Sequence, residues 1–259
     1  MKSVILGVLL PFLGTTLGAA CVFFLRKQLG NQLQKVLEGF AGGIMIAACV
    51  WSLLIPAIDM SQYMGKLAFV PAVIGFLLGV GFLLLLDIFI PYFYLNEEGT
   101  EGIKASWKKS TMLLLSVTLH NIPEGMAVGV VLAGILAENS NLSIMGAIAL
   151  SIGIAIQNIP EGAIISMPLR SMGVSRKKSF LYGVLSGVVE PIGAILTLVF
   201  SKYLIGILPY LLAFAAGTMI YVVVEELIPE ACDNHYSNIG TISFSIGFAI
   251  MMILDVALG

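Results

Sequence analysis

Eight apolar runs separated by short polar connections dominate the pattern of the 259-residue chain, at 4–25, 37–57, 67–95, 111–137, 142–169, 179–202, 206–230 and 238–258. About 20 apolar residues in a helix cross the roughly 30 Å of a bilayer's hydrocarbon. The pattern therefore predicts an all-α polytopic membrane protein with eight transmembrane helices in a single transmembrane domain, 1–259. No connection is long enough to fold alone. The longest, residues 96–110, reads NEEGTEGIKASWKKS and is expected to be a polar loop. Lys2 followed by an apolar run resembles a signal peptide. The run continues through Phe24 and Leu25 to Arg26 and Lys27, however, which is the length and flank of a membrane anchor.

Composition sharpens this reading. Charged residues make up 11%, with 13 basic and 15 acidic side chains, and 59% of residues are hydrophobic; mean hydropathy is +1.03. Soluble domains carry about 25% charged residues, so a cytosolic enzyme and a disordered scaffold are excluded. A net charge of −2 with no basic patch excludes nucleic-acid binding. Cys21, Cys49 and Cys232 are scattered, so neither a disulfide framework nor a structural zinc site is expected. The basic residues set an orientation. Arg26, Lys27, Lys35, Lys104, Lys108, Lys109, Arg170, Arg176, Lys177 and Lys178 follow the first, third and fifth spans, whereas Lys2, Lys66 and Lys202 lie on the other side. Both termini are expected outside the cytoplasm. Length and the lack of a targeting extension favour a prokaryotic inner-membrane protein.

Two internal echoes stand out. Phe40-Ala41-Gly42-Gly43-Ile44-Met45-Ile46 in the second span matches Phe214-Ala215-Ala216-Gly217-Thr218-Met219-Ile220 in the seventh, and both continue to Leu-Ile-Pro, at residues 54–56 and 227–229. Inverted repeats of this kind occur in secondary transporters, although small and apolar residues are common in any membrane helix. The second echo is sharper. His120-Asn121-Ile122-Pro123-Glu124-Gly125 in the fourth span meets Gln157-Asn158-Ile159-Pro160-Glu161-Gly162 in the fifth. Adjacent helices of opposite direction would bring the two motifs face to face.

An ionisable residue in mid-span costs about 2.5–3.5 kcal/mol on insertion scales, so Glu124 and Glu161 require compensation. Helical spacing offers His120 to Glu124 and Gln157 to Glu161 at i,i+4, with Asn121 and Asn158 at i,i+3 from the same acids. Pro123 and Pro160 cannot bond back to Leu119 and Ile156, which frees two carbonyls and predicts kinks. Glu190, beside Pro191 in the sixth span, adds a third mid-span carboxylate. Three carboxylates, one imidazole and three amides suit zinc and its divalent neighbours. Two divalent cations would convert a bare −3 to about +1. Such carboxylates also serve proton relays. Taken singly, a membrane glutamate is often a protonated partner of its own helix, and an asparagine is often interhelical glue. Repetition of the whole set argues for a site.

The paired N-x-P-E-G motifs, headed by His120 in the first, resemble those of the ZIP (Zrt/Irt-like protein) family of divalent-metal transporters. Gln157 at the head of the second resembles the GufA-like branch. The resemblance spans the whole chain and implies eight spans in a 3+2+3 arrangement with inverted outer repeats. It further implies import of Zn²⁺, with Fe²⁺, Mn²⁺ and Cd²⁺ as related substrates, through a binuclear site. His120, Glu124, Gln157, Glu161 and Glu190 would surround one metal, Asn121 and Asn158 would help complete a second, and the three glutamates would bridge them. Metal would be substrate, with no separate cofactor. The loop after the third span has no histidine, and the seventh span reads Glu225-Glu226-Leu227-Ile228-Pro229-Glu230. With Asp87, those acids form either an acidic exit ladder or ordinary helix-end charges. Asp59 and Asp255 fall near the outer surface, where solvation is the expected role. His235 with Asp233 is weak ligand spacing.

Two other functions compete. A proton- or sodium-coupled carrier of an organic solute would want more buried polar residues. An intramembrane metalloenzyme would want the HExxH spacing, which His120-x3-Glu124 lacks; no enzymatic activity is expected. Gly75-x-x-x-Gly79 and Gly183-x-x-x-Gly187 are faces for helix packing within one chain or between two, and the resemblance is compatible with a homodimer.

Overall fold

The computed structural model describes the backbone of residues 2–24, 30–95, 103–136, 142–232 and 238–258, and the side chains there except 87, 89–95, 103–117, 119, 120 and 205. The side chains of His120 and Asp87, together with Asp233 and His235, lie outside the described residues. Among the described residues the architecture is all helical: α1 (Lys2–Phe24), α2 (Asn31–Met60), α3 (Phe69–Leu95), α4 (Ile103–Leu136), α5 (Ile144–Ser171), α6 (Arg176–Val199), α7 (Leu208–Cys232) and α8 (Ile239–Leu258). Seven of them hold a stretch long and apolar enough to cross a membrane; α4 contributes only the shorter apolar stretch Asn121–Leu136. The protein is thus a polytopic membrane protein, and the expected eighth crossing rests on α4.

One boundary differs plainly from the sequence reading. Residues 103–110, expected in a polar loop, form the first two turns of α4. Neither glycine nor proline interrupts 103–122, so nothing stops the helix where the apolar run ends. A helix of 34 residues is about 50 Å long, more than the hydrocarbon needs. Lys35, expected in a connection, belongs to α2 and is 5% exposed.

The helices sort into two groups by whom they pack against. In one, α1 lies along α5 and α4 along α6; in the other, α2 lies along α8 and α3 along α7. Exchanging α1–α3 with α6–α8, and α4 with α5, maps each pair onto another. The outer repeat therefore appears in the packing as well as in the sequence. Local structure carries it too. Both α2 and α7 widen to a π turn, Cys49–Leu54 and Val223–Leu227, immediately before Pro56 and Pro229. Each proline lacks the N–H that would close the α-helical bond four residues back, and a wider turn accommodates the loss.

Glycines set how closely the pairs approach. A Cβ at Gly75 or Gly79 would strike the backbone of Tyr210 or Phe214 on α7. At Gly183 or Gly187 it would strike Ala19 or Thr15 on α1. Both small-residue faces are thus filled within the chain. The polarity is inside out for a water-soluble fold: Leu77, Leu181, Ile242 and Val256 are exposed, while Asn121, Glu124, Gln157, Asn158 and Glu190 are at most 2% exposed. Lipid as the solvent accounts for both halves of that inversion.

Candidate metal centre

The two repeated motifs lie on α4 and α5, and each helix stays continuous through its proline. Glycine closes each motif for a steric reason. A Cβ on Gly125 would run into the backbone of Glu190, and one on Gly162 into the backbone of Thr15. The first motif is thereby pressed against α6 and the second against α1. In α6 the helix breaks at Val188, between Arg176–Gly187 and Val189–Val199. Pro191 cannot bond the Gly187 carbonyl, and Glu190 sits in the first turn after the break.

Six of the seven expected site residues are described, and they converge. Gln157 Nε2 donates to Glu124 Oε1 at 2.7 Å, joining the two motifs directly. Asn121 Nδ2 donates to the Ser186 carbonyl at 3.1 Å and to Glu190 Oε1 at 3.3 Å. Thr15 Oγ1 donates to the same Glu190 oxygen at 2.6 Å. The amide of Asn158 lies beside Glu124 and Glu190 without forming a hydrogen bond of good geometry. Glu161 lies within electrostatic reach of Glu124, Glu190 and Glu226.

These partners correct the local expectation. Gln157 was to serve Glu161 one turn along its own helix, yet it serves Glu124 on the neighbouring one. Asn121 likewise turns to α6 instead of to Glu124. For Asn121 the interhelical partner is within reach because Gly125 brings α4 against the backbone of Glu190 on α6; Gln157 reaches across the contact between α4 and α5.

What remains unbonded is more informative. Asn121 Oδ1, Glu124 Oε2, Gln157 Oε1, Asn158 Oδ1, Glu161 Oε2 and Glu190 Oε2 are all buried without a hydrogen-bond partner. A buried polar atom left bare costs about 1–3 kcal/mol, more when charged; native structures hold only a few, and the described residues leave four others bare, on Thr16, Glu38, Ser179 and Asp255, besides Asn158 Nδ2. Six such acceptor oxygens on the facing helices α4, α5 and α6 are of the type that a hard or borderline cation takes as ligands. Among the described residues, no three His, Cys, Asp or Glu side chains are yet drawn together as ligands.

Above and below this centre lie features that the sequence reading weighed differently or missed. Asp255 on α8, expected in interfacial solvent, is 7% exposed and accepts a 2.5 Å hydrogen bond from Ser52 Oγ on α2. Its Oδ2 has no partner. With Asp59, Ser52 and Ser143 it lines a cavity of about 230 Å³ between the two helix groups. Asp59 is exposed, as expected. At the opposite end of α2, Gln34 Nε2 bonds Glu38 at 2.7 Å and reaches Glu230 at 3.4 Å. Glu225 and Glu230 are exposed and Glu226 is half-buried, so only Glu226 turns toward the centre. Thr15, Ser52 and Glu38 carry no signal in the sequence because none belongs to a repeat: Thr15 is one of two adjacent threonines, Ser52 is a single hydroxyl in an apolar run, and Glu38 sits at the polar start of its span.

Comparison with known proteins gives a consistent result. Residues 96–255 match the family model described as ZIP Zinc transporter. The chain is 36% identical to zinc transporter ZIP11 of Xenopus tropicalis, covering 98% of this chain and 97% of the relative. It is 37% identical to zinc transporter ZIPB of Bordetella bronchiseptica, covering 98% and 81%. It is 33% identical to zinc transporter GufA of Myxococcus xanthus over the full length of both.

Proposed function

This chain belongs to the ZIP zinc-transporter family, and from that premise we propose that it imports Zn²⁺ into the cytoplasm through a site built between α4, α5 and α6. The observation that carries the proposal is the set of six buried, unbonded acceptor oxygens on Asn121, Glu124, Gln157, Asn158, Glu161 and Glu190. His120 completes the ligand set by its place in the first motif. Three carboxylates repel one another in a lipid-surrounded interior, and cation binding relieves that repulsion while satisfying the bare oxygens. Two ions sharing the three glutamates would turn −3 into about +1, and by the motif resemblance the site is binuclear, with Fe²⁺, Mn²⁺ and Cd²⁺ as further substrates.

The division into two helix groups supports a route. All the proposed ligands belong to α4, α5 and α6, which pack with α1. The inner acid Glu226 belongs to the other group, and the outer cavity lies between the two, with Ser52, Asp59 and Asp255 on one side and Ser143 on the other. Cations gather in the outer cavity, lose water to the central oxygens, and are passed to Glu226 as one helix group moves against the other. The single transmembrane unit lies in a prokaryotic inner membrane with both termini outside. The named relatives are transporters, so the reading is transport and not catalysis.

The test is zinc uptake into proteoliposomes by the intact chain, by Glu124→Ala and by Glu161→Ala. Both variants should lose most flux. If either moves zinc as well as the parent, the proposed site is wrong; if the parent shows neither flux nor metal binding, the solute-carrier reading takes its place.

A further inference from the structure

Glu190 is held by two donors on one oxygen. Thr15 Oγ1 donates to Oε1 at 2.6 Å and Asn121 Nδ2 at 3.3 Å, while Oε2 has none. Thr15 and Glu190 are both 0% exposed, so water does not compete for either. The other acceptor for the Thr15 proton, the Pro11 carbonyl, is 3.5 Å away and weaker. A carboxylate free to turn about its terminal torsion would exchange its two oxygens. Two donors on Oε1 remove that freedom and leave Oε2 as the bare oxygen.

We propose that Thr15 is a positioning residue of the metal site: its hydroxyl anchors Oε1 of Glu190 so that Oε2 is presented to the cation. The inference rests on the transport site proposed above. Its place in the fold supports it independently. Gly162 of the second motif abuts the backbone of Thr15, just as Gly125 of the first abuts the backbone of Glu190. The exchange that relates α1 to α6 and α5 to α4 therefore brings Thr15 onto the position of Glu190. One repeat supplies a carboxylate at that position and the other supplies the hydroxyl that orients it. A second carboxylate there would face Glu190 as a like charge instead of a donor.

Thr15 also packs. A Cβ on Gly187 would meet its Cβ, Cγ2 and Oγ1, so the side chain covers that glycine. Two substitutions separate the roles. Thr15→Val keeps the shape and removes the donor; Thr15→Ser keeps the donor and removes the methyl group. The full chain is reconstituted in proteoliposomes for initial rates of Zn²⁺ uptake against Zn²⁺ concentration, and Zn²⁺ binding is measured by titration calorimetry in detergent. Thr15→Val should raise KM and the dissociation constant about tenfold, the scale of one hydrogen bond to a charged acceptor, with the maximal rate far less affected. Thr15→Ser should stay within about twofold of the parent. If Thr15→Val does not fold, Thr15→Ala against Thr15→Ser makes the same comparison, since both lack the methyl group and only one has the hydroxyl. Equal impairment of the Val and Ser variants would reduce Thr15 to packing, and parental affinity in Thr15→Val would remove the anchoring role; either result overturns the inference while zinc transport stands. A parent that neither binds nor moves zinc overturns both.

Discussion

Asp255 should govern how readily a cation reaches the central motifs, and its contribution can be worked from the cavity it lines. A sphere of the cavity's volume, about 230 Å³, has a radius of about 4 Å, room enough for a cation to sit on the Asp255 side of its centre, about 4 Å from the carboxylate. In water-filled space a divalent ion and one negative charge at that separation attract by about 2 kcal/mol. Screening at physiological ionic strength lowers this to a little over 1 kcal/mol. Asp255→Asn preserves size and keeps an oxygen for Ser52 Oγ, so the charge is what is lost. The expected result is a fall in kcat/KM for Zn²⁺ of just under tenfold, carried by KM, with uptake at saturating zinc near the parental rate. At about 1 M salt, where the Debye length is about 3 Å, the gap between variant and parent should narrow. Initial uptake rates in proteoliposomes across zinc concentration at two ionic strengths check all of this. An unchanged KM, or a loss confined to the maximal rate and indifferent to salt, would refute the reasoning.

The packing and the central site make further predictions. Gly125→Ala and Gly162→Ala each push a methyl group into a neighbouring helix backbone, and each should destabilise the chain by about 1–3 kcal/mol, seen as earlier thermal unfolding in detergent. Gln157→Leu removes the 2.7 Å donor to Glu124; it should cost about 1–3 kcal/mol in metal-free stability and weaken zinc binding in calorimetry. Glu226→Gln should slow zinc release, read as a lower maximal uptake rate, while leaving calorimetric affinity at the centre intact; unchanged flux would count against an acidic exit path.

Much of the protein was legible without its structure, for reasons that differ between elements. The spans were readable because each must bury about 20 residues in lipid on its own, which is a local property of the sequence. The start of α4 was misread for the same reason: apolarity marks where hydrocarbon begins, whereas the helix is free to continue through 103–110. The motif residues were readable because they occur twice. The π turns before Pro56 and Pro229 were foreshadowed by the shared Leu-Ile-Pro, although a sequence echo does not say which backbone geometry it encodes.

The candidate chemistry was thus legible in the sequence alone: three mid-span carboxylates and three amides, the motif pair repeated on adjacent spans of an apolar chain. Tertiary structure decided which group serves which. Gln157 crosses to Glu124, Asn121 and Thr15 both hold Glu190, and Asp255 is buried against Ser52 instead of solvated. The physical reason is that periodicity fixes the face on which a side chain lies but not what stands opposite. That depends on which helices meet and how closely, and here glycines such as Gly125 and Gly162 set the distance by admitting backbone where any side chain would have kept it out.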